Sequence, residues 1–576
     1  MIVRVEALAP GPATPVLHRV RDPCYIFNSR NRFLTGDPMR IHTLATLLVG
    51  ISATTLSAQE HDHQHDGQLG RVVLPVSCAP EAQRRFERAM AGLHSFWWEA
   101  GGTAFGAVLE ADSTCAMAHW GLALNAWGNP FAGGPGGDAL KEGAMHAEHA
   151  AKLGGRTPLE KGFIAAAEAL YRDHATLSTP VRLRAYSDTL GRVYRDLPNE
   201  PEVALYYSLS LIATASPTDT TLSRQRQAAA ILTPLFAKHP DHPGLAHYII
   251  HANDSPRLAE LGLDAARRYA TIAPAAPHAQ HMPSHIFIRL GLWDETIASN
   301  RRSYDAGVEF QRSRGHQGVA YHEFHALDYM VYGYLQQGRD SAAAETVKEA
   351  LAVTQVSAPS ALLRHYNITA MEARVPLERG DWKAAMELPV RAPDVPISAM
   401  LSHFARGIGA ARAGEPPRLK EEVDALAAVE QSLAAANNTV WAQIAGTKRQ
   451  ALNAWLLLSA GDTAGALREA KLAADLEDRT EKQPVTPGEL LPARELEADL
   501  HFQLGHYAAA RAAYLQVLER ERGRARSIFG AARSAELAGQ KDVARQGYRD
   551  FLTLLEKADG KREEVAVARA AVSQSR

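Results

Sequence analysis

Seven histidine and aspartate residues in the middle of the chain have the types and spacing of a metal site. His247 and His251 are four positions apart, and His281 and His285 repeat that spacing. Residues four apart share one face of an α-helix, so each pair can direct two imidazoles at one point. Imidazole suits Zn, Cu and Fe, and carboxylates also suit Mn. The predicted cofactor is a divalent ion of Zn, Cu, Fe or Mn. Its predicted ligands are His247, His251, His281, His285, His325, Asp254 and Asp328.

The second histidine pair has a less regular expected geometry. Pro283 lies between His281 and His285, and proline is tolerated in the first turn of a helix but not in its interior. We therefore expect a helix to begin near Pro283, with His281 just before it. Neither pair carries the glutamate of the H-E-x-x-H motif, which serves as the base of a metalloprotease. A metal-dependent hydrolase or other metalloenzyme, with Glu323 as a distant candidate base, is the alternative hypothesis.

The elements that must position these residues repeat along the chain. Gly505 and Gly539 are 34 positions apart, and so are Tyr514 and Tyr548. The chain here resembles the tetratricopeptide repeat (TPR) superfamily, whose 34-residue unit is a helical hairpin, and exported bacterial TPR proteins in particular. The resemblance implies an all-α, TPR-type α-solenoid of stacked hairpins, a right-handed superhelix with a concave groove.

Further turn glycines extend the repeats toward the N-terminus. They are Gly291, Gly338, Gly380, Gly414 and Gly461. We divide this part of the chain into N-terminal hairpins over 77–240, central hairpins with a histidine-rich groove over 241–480, a proline-rich loop over 481–492, a C-terminal TPR pair over 493–560 and a tail over 561–576.

The repeat register places polar residues on the concave face. With the turn glycine at position 15 of each unit, the TPR resemblance implies that positions 2, 5, 9, 12 and 13 face the groove. His247 and His251 then hold the positions that His281 and His285 hold one unit later. The other predicted groove or ligand-binding residues are His278, Arg289, Tyr332, Gln336, Asn367 and Arg374.

Three interpretations of this polar face stay open. It could bind a transition metal. It could instead bind a protein, a peptide or a small molecule, with Arg289 and Arg374 as anion contacts. The histidines could also be packing residues that are hydrogen-bonded to neighbouring carboxylates. Recurrence of histidine at groove positions in three consecutive units disfavours the last interpretation.

An export signal is predicted downstream of the first methionine. Residues 1–38 show no clear period, and we interpret them as an artefact of the start site or a disordered leader. Met39 and Arg40 precede an apolar run and small residues, the pattern of a signal peptide over 39–58. The apolar run is too short to span a bilayer. We expect a periplasmic or secreted protein with no membrane span after cleavage, beginning with a flexible His/Asp-rich tail over 59–76.

The three cysteines bear on the same question of compartment. Cys24 lies upstream of the predicted signal, which leaves Cys78 and Cys115 as an even pair in an oxidising compartment. We predict a disulfide between them; two buried thiols are the alternative.

The composition excludes several classes of function. The 576 residues carry a formal net charge of -2, so no basic surplus predicts a nucleic-acid partner. No phosphate-binding, dinucleotide-binding or nucleophile-elbow motif appears in a suitable context. The sequence predicts an exported repeat protein that binds or scaffolds a partner, and it favours a binding protein over an enzyme.

Overall fold

The computed structural model describes residues 68–216, 219–357 and 360–573, and the leader, the signal peptide and residues 59–67 of the tail lie outside these ranges. Apart from one bridge between Val319 and Val356, the regular secondary structure of the described ranges is helical. The helices are α1 Pro80–His94, α2 Trp98–Ala111, α3 Ala116–Trp127, α4 Gly137–Leu153, α5 Pro158–Tyr171, α6 Thr179–Asp196, α7 Pro201–Ala213, α8 Ser223–Lys238, α9 Pro243–Asn253, α10 Ala259–Ile272, α11 Pro277–His281, α12 Pro283–Leu290, α13 Trp293–Ser313, α14 Tyr321–Gln336, α15 Asp340–Ala352, α16 Ala361–Arg379, α17 Trp382–Met386, α18 Pro396–Ala413, α19 Pro416–Ala435, α20 Thr439–Ser459, α21 Thr463–Asp478, α22 Ala493–Gln503, α23 Tyr507–Arg520, α24 Ala525–Leu537, α25 Lys541–Leu554 and α26 Glu563–Ser573.

Successive helices pack as hairpins, so the predicted TPR-type α-solenoid is the observed fold. All seven predicted turn glycines have a positive φ, between 66° and 84°, a conformation that glycine adopts without a steric penalty. The small residues of the repeat allow close approach of neighbouring helices. At Gly530 in α24, a Cβ atom would lie 2.5 Å from the ring of Tyr514 in α23.

Two short helices carry the second histidine pair. Helix α12 begins at Pro283, as the sequence analysis expects, and His281 ends the separate helix α11. Met282 joins them with helical dihedrals, φ -53° and ψ -36°. The proline therefore divides this element without turning the chain away, and both histidines of the pair stay on one side.

Residues 68–76 differ from the expected flexible tail, because they pack onto the N-terminal hairpins. Leu69, Val72 and Leu74 are buried in the hydrophobic core. The backbone N–H of Arg71 donates to the carbonyl of Asp241. The apolar residues of this segment provide the burial energy that a free tail would lack.

The predicted disulfide between Cys78 and Cys115 is present. It joins the segment before α1 to the start of α3, with a Cα–Cα distance of 5.1 Å across a sequence separation of 37. Within the described residues, no helix is long and apolar enough to span a membrane.

Replacing both cysteines, Cys78→Ser with Cys115→Ser, is expected to destabilise the N-terminal hairpins by about 3–4 kcal/mol, because a cross-link of this span restricts the unfolded chain. Thermal unfolding with and without dithiothreitol measures the effect. The reductant should lower the midpoint of the wild type and leave that of the double variant unchanged. Equal midpoints for the two proteins without reductant would contradict the prediction.

Candidate metal centre

Six histidines on four helices form two groups of three, named here triad A and triad B. Triad A is His247 and His251 of α9 with His278 of α11. Triad B is His281 of α11, His285 of α12 and His325 of α14. One ring nitrogen from each member of a triad lies within 4.8 Å of those of the other two.

The Nε2 atoms converge in both triads. In triad A, the Nε2 atom of His247 lies 3.0 Å from that of His251 and 3.2 Å from that of His278. In triad B, the Nε2 atoms of His281 and His285 are 3.1 Å apart. Zinc binds histidine nitrogen at about 2.0–2.1 Å, which sets tetrahedral ligand atoms about 3.3 Å apart. The observed separations are close to that value.

The opposite ring nitrogens of three of these histidines are anchored by acceptors. Nδ1 of His247 donates to the backbone carbonyl of His94 at 2.6 Å. Nδ1 of His281 donates to Oδ1 of Asn300 at 2.6 Å, and the Asn300 amide nitrogen donates in turn to the Thr296 carbonyl, which fixes the orientation of the amide. These acceptors hold the proton on Nδ1 and leave the lone pair on Nε2.

The strongest indication of a cation site is in triad B. Nδ1 of His285 donates to Oδ2 of Asp254 at 2.8 Å, so His281 and His285 both carry their proton on Nδ1. Two Nε2 lone pairs then face each other across 3.1 Å, and in this tautomer neither can donate to the other. A cation between the two nitrogens turns this repulsion into attraction.

Burial keeps all six imidazoles in the neutral form that binds metals. It lowers the pKa of His247 to about 3 and holds the pKa of His285 below its usual value. Burial also lowers the pKa of the remaining four far below the usual value, and these are His251, His278, His281 and His325.

In each triad, one aromatic ring packs against all three imidazoles. The centroid of Phe96 lies 4.4 Å from that of His247, 5.7 Å from that of His251 and 5.5 Å from that of His278. Tyr329 lies 4.8–5.4 Å from the rings of triad B, and its hydroxyl is 3.4 Å from Nε2 of His285. Phe96 has a φ of 52°, a conformation that is strained in a non-glycine residue. The packing against triad A holds this ring in place.

The two triads adjoin, and each has a side toward solvent. His278 and His281 share the short helix α11, with ring centroids 6.0 Å apart, and the rings of His251 and His285 are 6.4 Å apart. His251, His278 and His325 are partly exposed, whereas the other three histidines are buried. The arrangement can hold two ions close together while leaving each open to a small molecule.

The two aspartates predicted as ligands have other partners. Asp254 accepts from His285 and from the Nε atom of Arg289 at 2.9 Å, so it orients a ligand histidine from behind. Asp328 is fully buried and accepts from Nε of Arg374 at 2.8 Å. Buried carboxylates need a charged partner, and an arginine supplies that partner to both.

The substitution Asp254→Asn is expected to weaken metal binding at triad B by roughly 10- to 100-fold, the usual effect of losing the acceptor behind a ligand histidine. Triad A should keep its affinity. Competition with a chromophoric chelator would measure both. Asp264→Asn, at an exposed carboxylate of α10, is the matched control. An unchanged affinity at triad B would show that Asp254 does not orient His285.

Of the six residues predicted as groove or ligand contacts, only His278 belongs to the metal centre. The other five are buried by the chain itself, because the loop between α21 and α22 and the C-terminal repeats cover the inner face. Their partners are Asp254 for Arg289, Glu521 for Tyr332, the Ala525 N–H for Gln336, the Leu363 carbonyl for Asn367, and Asp328, Thr486 and Gly488 for Arg374. Arg289, Tyr332, Gln336 and Arg374 close the solenoid, whereas Asn367 bonds within α16 and its side chain lies against His325 of triad B.

Another group of titratable residues, His94, Glu202 and His242, lies next to triad A. The carboxylate of Glu202 accepts from Nε2 of His94 at 2.9 Å and from Nε2 of His242 at 2.8 Å, and Nδ1 of His94 lies 2.9 Å from the Tyr248 hydroxyl. All of these ring contacts are to protein groups, so we assign the group a structural role. The backbone carbonyl of His94 is the acceptor that anchors the His247 ring.

Several residues of the site carry no signal in the sequence. Phe96 lies between α1 and α2, a hairpin that carries no candidate ligand, and Asn300 lies in α13, which packs against α11 and α12. Only folding brings them to the triads. His278 had a usable signal, because it precedes His281 by three positions and shares a helix face with it.

No protein-family model matches the chain, and the comparison with curated proteins finds no relative. Among solved structures, similar chains include human IFIT1, in a dimer with m7Gppp-AAAA, and yeast Tom70. The first is 14% identical over 73% of this chain and 87% of its own, with a TM-score of 0.34. The second is 11% identical over 76% of this chain and 93% of its own, with a TM-score of 0.29.

Proposed function

We propose that this solenoid is a metalloprotein that binds two transition metal ions, one in triad A and one in triad B, and acts outside the cytoplasm. The observation that carries the proposal is the pair of fixed Nε2 lone pairs of His281 and His285 at 3.1 Å. A packing role alone would not favour two acceptors aimed at each other. Export rests on the sequence pattern over 39–58 and agrees with the Cys78–Cys115 disulfide.

The donor set narrows the choice of metal. Each triad offers three imidazole nitrogens, and the carboxylates predicted as ligands are engaged elsewhere. Nitrogen-only sets favour copper and zinc over manganese, magnesium and calcium, which prefer oxygen. Three protein ligands also leave a coordination position for water or a small molecule. Copper and zinc are therefore the ions to test first.

Metal content of the untagged full chain tests the proposal. The wild type and the double variant His247→Ala with His281→Ala would be stripped with chelator, reloaded with Zn(II) or Cu(II), and analysed for metal. We expect the double variant to bind about two equivalents fewer. His239→Ala, at an exposed histidine in the turn after α8, is the control and should bind as the wild type does. Equal metal content in the double variant and the wild type would overturn the proposal.

A second candidate function is catalysis on a small apolar molecule. An apolar pocket adjoins triad A, with Phe96 as a shared wall and Trp98, Trp127, Tyr186 and Leu209 among its other lining residues. The buried Tyr206 hydroxyl and Trp127 Nε1 have no hydrogen-bond partner and could bind an acceptor on such a molecule. In the hydrolase alternative, the candidate base Glu323 lies against Gly307 in α13, and burial raises its pKa to about 7.

Binding of 2-naphthol, followed by its fluorescence, tests this second candidate. The wild type should bind it, and Leu209→Trp, which fills the pocket, should not, while both keep the same metal content. Equal binding, or none to either protein, would remove the pocket from consideration and leave the metal-binding proposal as it stands.

A further inference from the structure

A third group of three histidines lies away from the central triads, on the N-terminal hairpins. His119 is in α3, and His146 and His149 are in α4, three positions apart and therefore on one face of that helix. The Nδ1 atoms of His119 and His146 are 3.0 Å apart. The ring of His149 is centred 5.1 Å from that of His119 and 6.4 Å from that of His146. One nitrogen from each ring lies within 4.8 Å of the other two.

These imidazoles lack the hydrogen bonds of an ordinary packing histidine. Within the described ranges, no carboxylate, carbonyl or hydroxyl bonds to any of the three rings, and their only polar contact is with each other. A histidine with a packing role normally bonds to protein groups. The group around Glu202 is an example of such packing, because both of its histidines bond to the Glu202 carboxylate.

The charge state fits a cation ligand. Burial and the two neighbouring histidines lower the pKa of His119 to about 4, and burial and His149 also lower the pKa of His146. Two positive imidazolium groups with their Nδ1 atoms 3.0 Å apart would repel each other, which favours neutral rings with available lone pairs at His119 and His146. Among the described residues, no carboxylate forms an ion pair with any of the three.

We propose that His119, His146 and His149 form a third transition-metal site, for Zn(II) or Cu(II), that exchanges with solvent more readily than the central triads. Two features of the third site favour faster metal exchange than at triads A and B. His149 is exposed and the other two rings are partly exposed, whereas each central triad contains at least one fully enclosed histidine. The third group also has no acceptors that fix its rings, and such acceptors raise metal affinity. This site does not depend on the central metal centre.

Release of Zn(II) from the loaded full chain to a chromophoric chelator tests this inference. The wild type should release about one equivalent in a fast phase and the remainder slowly. His146→Ala and His149→Ala should each abolish the fast equivalent and leave the slow phase unchanged. His174→Ala, at a histidine in the loop between α5 and α6, is the control. The exposed His149 can be replaced without disturbing the core, so loss of binding there cannot be ascribed to unfolding.

The predicted N-terminal tail contains further histidines, so the same measurement is made on a full-length background in which His61, His63 and His65 are alanine. A fast phase that survives in both histidine variants on this background would overturn the third site. If the fast equivalent disappears in those variants while no slow phase exists in any protein, the third site stands and the central metal proposal fails. The two inferences are therefore separable in one experiment.

Discussion

Replacing His285 with alanine is expected to reduce the metal bound at the central centre from about two equivalents to about one. His285 supplies one of three nitrogens of triad B and none of triad A. Removing a ligand should weaken binding at least as much as the 10- to 100-fold loss caused by removing the group behind a ligand. Two remaining histidines would not hold an ion against a competing chelator. Metal analysis after dialysis against chelator measures the result.

The His285 variant leaves no buried charge unpaired, and a single variant in triad A provides a comparison. Asp254 keeps Arg289 as its partner when His285 is removed, so no buried carboxylate is left without a cation. His247→Ala, in the other triad, should remove one equivalent in the same way. Together the two single variants should account for the loss seen when both triads are disrupted. Loss of both ions from the His285 variant, with its helical content unchanged, would show instead that the six histidines form one indivisible site.

The sequence predicts the architecture well because its signals are local. A glycine that must adopt positive φ marks each hairpin turn, and the spacing of His247 from His251 places both imidazoles on one helix face. Even the break at Pro283 follows from the missing N–H of proline, and α12 begins there. Each of these inferences involves residues within one turn or one repeat of each other.

The site was harder to predict wherever it depends on contacts between distant repeats. The repeat register predicts an open face for Arg374 and Tyr332, but the register carries no information on whether a later part of the chain covers that face. In the structure the carbonyl of Gly488 accepts from Arg374, and the carboxylate of Glu521 accepts from the Tyr332 hydroxyl. The same limit explains the aspartates, whose arginine partners are 35 and 46 positions away.

Asp328 provides the largest expected effect on stability. Its carboxylate and the guanidinium of Arg374 are both fully buried, and Arg374 also donates to Thr486 and Gly488 of the loop that covers the inner face. Asp328→Ala should cost about 3–5 kcal/mol, because it leaves a buried cation without its counter-charge. The metal-free protein should show this in thermal unfolding, and the loop over 479–492 should become sensitive to protease.

The double variant Asp328→Ala with Arg374→Met distinguishes a lost ion pair from a lost cavity-filling side chain. Removing both charges should recover part of the stability, since an apolar side chain in place of the guanidinium leaves no charge to desolvate. Asp424→Ala, which breaks an exposed pair with Lys420, should change little. Metal content decides the role of the carboxylate. If Asp328 were a metal ligand, the Asp328→Ala variant would lose one metal ion even at a temperature where it stays folded. If Asp328 serves only as the partner of Arg374, the variant should lose stability and keep both metal ions.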